Sequence, residues 1–147
     1  MSPRVLFVDD EAPIRELLAL FFRKKSFAVS TAVNGDEARA LLRGDRRIDL
    51  VVVDLDLAGE NGLELLKELK ARAPELPFVI LTGMGADDRL VKAARKAGAC
   101  SFYSKTESLH TLYKGICRIL GSVEADAAWD APASRSRKHG TRIGVLL

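Results

Sequence analysis

Short apolar runs alternate five times with stretches of helical period along this chain, a pattern made by strands that alternate with helices. Val5-Leu6-Phe7-Val8 is the first strand. Ile14, Leu17, Leu18, Phe21 and Phe22 then fall on one helix face, with Pro13 tolerated in the first turn. Phe27 to Ala32 reads as a shorter, more polar strand. The helix after it starts near Gly35, turns Ala38, Leu41 and Leu42 inward, and stops at Gly44. Leu50-Val51-Val52-Val53 is the third strand, and its helix carries Leu65, Leu66 and Leu69 and ends near Ala73, before Pro74. Phe78-Val79-Ile80-Leu81 is the fourth, followed by a helix with Leu90, Val91, Ala94 and Ala97 that Gly98 stops. Ser101-Phe102-Tyr103-Ser104 is the fifth, and Leu109, Leu112, Tyr113, Ile116 and Leu120 mark the last helix.

Strands one, three and four are continuously apolar, as strands covered by helices on both faces must be. Strands two and five are more polar, as suits sheet edges. The expected fold is therefore α/β: a doubly wound, five-stranded parallel sheet in the order 2-1-3-4-5. At 147 residues and 48% hydrophobic, the chain fits one domain with a two-sided core plus a tail. A net charge of +3, with opposite signs interspersed, gives no nucleic-acid stripe. Cys100 and Cys117 form no CxxC pair and lie among apolar neighbours, so both read as small core residues in a reducing compartment. Neither a signal-peptide pattern nor a membrane-length apolar run is present, and a cytoplasmic protein is expected.

The order 2-1-3-4-5 reverses direction between strands one and three, and open parallel sheets bind ligands outside the carboxyl ends of strands at such a point. Strand one runs directly into Asp9-Asp10 and strand three into Asp54. Clustered carboxylates repel and need a cation, for which oxygen-loving Mg²⁺ is the natural candidate. Thr82 follows strand four and Lys105 follows strand five, which brings a hydroxyl and an ammonium to the same rim. Each residue has a plain alternative, since Asp caps helices, Thr suits strands and Lys is usually solvated. A bound phosphoryl group explains all five together: Mg²⁺ sits between carboxylates and phosphate oxygen, and Asp54 is free to act as an acyl-forming nucleophile.

These residues stand in VDDE at 8–11, VVVDLDLAGENGLELL at 51–66, ILTG at 80–83 and AGACSFYSK at 97–105, and in them the chain resembles the receiver domain of two-component response regulators. The resemblance implies a flavodoxin-like fold for a receiver spanning residues 1–121, with motif matches from about residue 4. It implies that Asp54 accepts a phosphoryl group from a histidine kinase or histidine phosphotransfer protein, the receiver catalysing its own labelling. Asp10 and Asp54 would ligate Mg²⁺, with Asp9 acting directly or through water and Asp56 through its backbone carbonyl. Lys105, the Thr82 hydroxyl and the Gly83 N–H would hold the phosphoryl oxygens. Phe102, three residues before the Lys, would turn inward as Thr82 moves. The changed surface would comprise helix four, strand five and helix five, where receivers dimerise or dock a downstream protein. Phe102 also has a plain role in edge-strand packing, because Tyr103 beside it puts aromatics on both faces.

The chain departs from the receiver pattern at Thr106, where a Pro, often cis, is usual, and at Ala58, which replaces a common Pro. Asp56 and Met84 occupy the two positions associated with the rate of dephosphorylation. A rival reading takes Asp54 and Asp56 as the DxD motif of a haloacid-dehalogenase-type phosphatase, but there the nucleophile precedes the metal-binding acids, whereas Asp9-Asp10 precede Asp54. An unphosphorylated docking module would lack a site residue, and none is missing.

Residues 122–147 change character and are too short for a DNA-binding output domain, so they read as a flexible tail. Four basic residues, Arg135, Arg137, Lys138 and Arg142, face three acids, Glu124, Asp126 and Asp130, which favours a solvated linker over nucleic-acid contact. Ile143-Gly144-Val145-Leu146-Leu147 is an apolar end suited to docking on the domain or on a partner. His110 and His139 have no metal-ligand companions in the sequence and read as surface residues.

Overall fold

A computed structural model describes residues 2–44, 46–83, 85 and 87–121. Met84, His139 and the tail of residues 122–147 therefore lie outside the described residues. The elements are β1 (Arg4–Val8), α1 (Ala12–Lys24), β2 (Ala28–Ala32), α2 (Gly35–Arg43), β3 (Leu50–Val53), β4 (Asp56–Leu57), β5 (Glu60–Asn61), α3 (Gly62–Arg72), β6 (Phe78–Thr82), α4 (Asp88–Ala97), β7 (Ser101–Ser104) and α5 (Leu109–Gly121). Five strands form a parallel sheet in the order β2-β1-β3-β6-β7, which is the expected 2-1-3-4-5 with the five main strands counted in sequence.

The central strands divide their side chains by parity between two cores, as a sheet covered on both faces requires. Val5, Phe7, Leu50, Val52, Val79, Leu81 and Tyr103 pack with α1 and α5. Leu6, Val8, Val51, Val53, Phe78, Ile80 and Phe102 pack with α2, α3 and α4. Both aromatics of β7 are thus buried, one on each face, so this edge strand is less polar in effect than its serines suggest. Full burial of each such side chain is worth about 1.5–3 kcal/mol, and the two-sided core holds the strand ends of the rim in place.

Local capping fixes where the helices start. Asn34 accepts from the Glu37 N–H, Asn61 from those of Leu63 and Glu64, and Asp87 from that of Leu90, so α2, α3 and α4 each begin on a side-chain cap. Glu11, at the N-cap of α1, makes no such bond, and its side chain is used elsewhere.

One reading is corrected. Cys117 is exposed and Cys100 half-buried, so only Cys100 approaches a core role. Ile116 and Ile119 face inward on α5, and the 100° step per helical residue turns Cys117 outward with Lys114 and Arg118. The stretch after Asp54 also contains an antiparallel ribbon, β4 with β5, that apolar spacing does not mark. Its turn is Ala58-Gly59, with Gly59 at φ +77°. His110 is exposed, as expected.

Candidate functional site

The rim at the carboxyl ends of β1, β3, β6 and β7 contains a depression of about 540 Å³ lined by Asp10, Glu11, Asp54, Asp56, Ala58, Thr82, Gly83 and Lys105. Backbone pairing continues one residue past the strands: the Asp9 N–H donates to Ala32 O and the Asp54 N–H to Val8 O, both at 3.0 Å, and the Lys105 N–H donates to Thr82 O at 2.8 Å. Residues 23 to 46 positions apart are thereby fixed side by side.

Lys105 Nζ lies 2.9 Å from Asp54 Oδ2, 2.9 Å from Asp9 Oδ2 and 2.7 Å from Glu11 Oε1. The Asp56 N–H donates to Asp54 Oδ1 at 3.1 Å, and the neighbouring Thr82 side chain acts with Lys105 to lower the Asp54 carboxyl. Asp9 lies beneath the depression, its Oδ1 accepting from the Glu11 N–H at 2.9 Å. Burial pushes the Asp9 carboxyl up to about 6, against the opposing bond from Lys105. Burial likewise raises Asp54, again opposed first by Lys105. Burial alone would lower Lys105, but its bonds to Glu11, Asp54 and Asp9 outweigh that and hold it above the ordinary lysine range. One ammonium does not balance the carboxylates gathered around it.

Asp10 is half-buried at the same depression, and its Oδ2 accepts from the Ala58 N–H at 3.1 Å. A proline at position 58 has no N–H to give. The departure at Ala58 therefore places a backbone donor on Asp10. Asp56 is exposed, and Phe102 is fully buried in the core below Thr82. The Lys105–Thr106 peptide is trans. A Cβ at Gly83 would meet only Lys105 Cδ, at 3.9 Å, so internal packing does not require glycine there.

Two contributors escaped the sequence reading. Glu11 was legible as the third acid of VDDE, but not that it bonds Lys105 instead of capping α1. At Gly62 a Cβ would collide with the Asp54 carbonyl and Leu55 Cα, so this position must be glycine for α3 to start against the acceptor strand. Oxygens of Asp9, Glu11 and Asp54 all lie within 4.8 Å of one another. With Asp10 at the same rim, this all-oxygen, net-negative donor set fits a small hard cation such as Mg²⁺.

An acid-lined rim at the switch point of a doubly wound sheet defines the class as an α/β protein with a ligand site outside its strand ends. Residues 5–116 match the family model of the response regulator receiver domain, and the chain belongs to that family. Sporulation initiation phosphotransferase F of Bacillus subtilis is 31% identical over 120 residues, covering 82% of this chain and 95% of that protein. The phosphate regulon transcriptional regulatory protein PhoB of Pseudomonas aeruginosa is 32% identical over 128 residues, which are 84% of this chain but 55% of PhoB. The match likewise covers 26% of the response regulator protein PilR of that organism, so this chain spans only part of those relatives. The Thermotoga maritima response regulator TrrA, solved in complex with Mg(2+)-BeF, is 28% identical with a TM-score of 0.70 over 80% of this chain and 98% of its own. A CheY-like receiver from Methanospirillum hungatei, at 23% identity and a TM-score of 0.78 over 84% of this chain and 98% of that one, shares the fold. No helix among the described residues is long and apolar enough to cross a membrane.

Proposed function

We propose that this receiver takes a phosphoryl group onto Asp54 from a phosphohistidine on a histidine kinase or histidine phosphotransfer protein. The observation that carries the reading is the Asp54 carboxylate at the switch point, met by Lys105 Nζ at 2.9 Å in a depression that Thr82 also lines. An Asp54 oxygen attacks phosphorus, the N–P bond breaks, and the leaving imidazole nitrogen keeps the electron pair and takes up a proton. Lys105, which bonds the carboxylate, and Thr82 beside it hold phosphoryl oxygens as charge shifts onto them, and the Gly83 N–H supplies a further donor. When bound by Asp10, Asp54 and the Asp56 carbonyl, with Asp9 direct or through water, Mg²⁺ supplies the positive charge that offsets the phosphoryl oxygens. Catalysis here is positioning and charge neutralisation.

The readout passes through Thr82 and Phe102. The support for this readout is that Phe102 is wholly buried and that Thr82 neighbours the Asp54 carboxyl. The surface that changes is α4, β7 and α5, facing a downstream protein or a second copy. Residues 1–121 form the receiver. Asp56, exposed beside the acceptor, is placed to influence water attack on the acyl phosphate.

The test is incubation with acetyl phosphate and Mg²⁺, followed by counting covalent phosphate per chain and phosphate released, with Asp54→Asn as control. The proposal requires one labile phosphate per chain, absent in the variant. Sustained turnover of varied phosphomonoesters would favour the phosphatase instead, and absence of labelling in both proteins would leave a docking module.

A further inference from the structure

At the opposite pole, around the segments that lead into β1, β3 and β6, lies a second and larger cleft of about 1240 Å³. Leu42, Ile48, Leu69, Leu76 and Leu120 give it an apolar lining, and five arginines, 39, 43, 46, 47 and 72, share it with two carboxylates among the described residues, Asp49 and Glu75. Arg39 is committed to Asp36, Glu60 and Glu68, and Arg47 to Asp49 at 2.9 Å. Arg72 reaches Glu68 only at 3.7 Å with its side chain 61% exposed. Arg43 and Arg46 are exposed, and among the described residues neither pairs with a carboxylate. The cleft thus offers an apolar floor beneath three arginines with charge to spare.

We infer that the cleft is the docking site for this chain's own segment 122–131, seated through Trp129 and through Glu124, Asp126 and Asp130. The segment reads SVEADAAWDA and carries three acids, no basic residue and the chain's single tryptophan. It begins two residues after Leu120, which itself lines the cleft. Trp129 lies nine positions beyond Leu120, a reach of up to about 30 Å, so no strain opposes entry. A tether this short holds the segment at about millimolar effective concentration, and weak contacts are then enough to populate the docked form. The basic residues 135–142 follow Trp129 and are repelled by the same arginines, which makes the acidic half the occupant. Docking at this pole leaves the Asp54 rim open, and the inference does not depend on the phosphoacceptor reading.

Trp129 reports on the cleft directly. Acrylamide quenching of the 147-residue protein is compared with that of a free peptide of residues 122–131. A segment docked about two-thirds of the time cuts the quenching constant about threefold, with a blue-shifted emission. Arg43→Glu/Arg46→Glu should restore the peptide's value, as should about 1 M salt. Tail reversal by Glu124→Arg/Asp126→Arg/Asp130→Arg should do the same, and combining both sets should recover protection. Both arginines are exposed, and circular dichroism checks that the fold is kept. Peptide-like quenching of the unaltered protein would overturn the inference. So would protection that ignores the arginines, that requires Ile143–Leu147, or that varies with protein concentration, the mark of a second copy as occupant.

Discussion

Lys105 and Arg39 each hold three carboxylates, Lys105 at the carboxyl ends of the sheet and Arg39 on the outer face between α2 and α3. The distances are alike, 2.7–2.9 Å around Lys105 and 2.6–3.0 Å around Arg39. Their chemistry differs because the surroundings differ. Asp9 and Asp54 have 4% and 3% of their side chains exposed, and burial raises both despite the ammonium. Glu68 is 34% exposed, and its bond with Arg39 holds it below the ordinary range. One cation is enough where water helps and too little where water is shut out. The rim is therefore a structural cluster left short of positive charge, which suits it to a divalent ion and a phosphoryl group, whereas the Arg39 cluster is a brace between helices.

The contrast is broken most sharply by removing each cation. Lys105→Met in metal-free protein at pH 8 should cost about 3 kcal/mol, because two buried carboxylates lose their partner. Arg39→Met should cost about 1 kcal/mol, as solvent takes over the exposed acids. Equal losses in urea denaturation would erase the distinction.

Acid sharpens it next. The Asp9 carboxyl is raised above its unfolded value, so its stabilising contribution is full at low pH and is lost as pH rises through about 6. Metal-free protein should therefore gain about 1 kcal/mol between pH 8 and pH 5 from Asp9, with Asp54 adding in the same direction, and Asp9→Asn should flatten the profile. Glu68 has the opposite sign: its contribution is present above the ordinary glutamate range and is lost only as pH falls below it. Thermal melts across this range separate the two. Mg²⁺ affinity, measured by calorimetry, should fall about tenfold from pH 7 to pH 5 as the rim carboxylates take up protons.

The smallest effect concerns Ala58. Ala58→Pro removes the N–H that holds Asp10 and should tighten Mg²⁺ binding about two- to fivefold, the worth of one hydrogen bond. Weaker binding would mean that the bond orients Asp10 usefully.

Strand order, both core faces and the meeting of Asp9, Asp54, Thr82 and Lys105 were legible because apolar period and strand-end position are local signals that the parallel topology converts into geometry. Asp10 was legible as a rim residue, but its turn toward Ala58 was not, since backbone donors leave no mark in residue type. Glu11 was hidden for a related reason: an acid at a helix start reads as a cap until a lysine 94 residues away claims it. The β4-β5 ribbon has two residues per strand, too few to show a period. Cys117 misled because apolar neighbours in sequence lie on another face of a helix.

The central claim is that Asp54, among the acids of the rim, is the one that forms the acyl phosphate. Borohydride reduction of the protein after acetyl phosphate and Mg²⁺ treatment, followed by peptide mass mapping, converts a phosphorylated aspartate to homoserine and so records its position. The account predicts homoserine at position 54 alone, and none without Mg²⁺. Reduction at Asp9, Asp10 or Asp56, or at no aspartate, would contradict it.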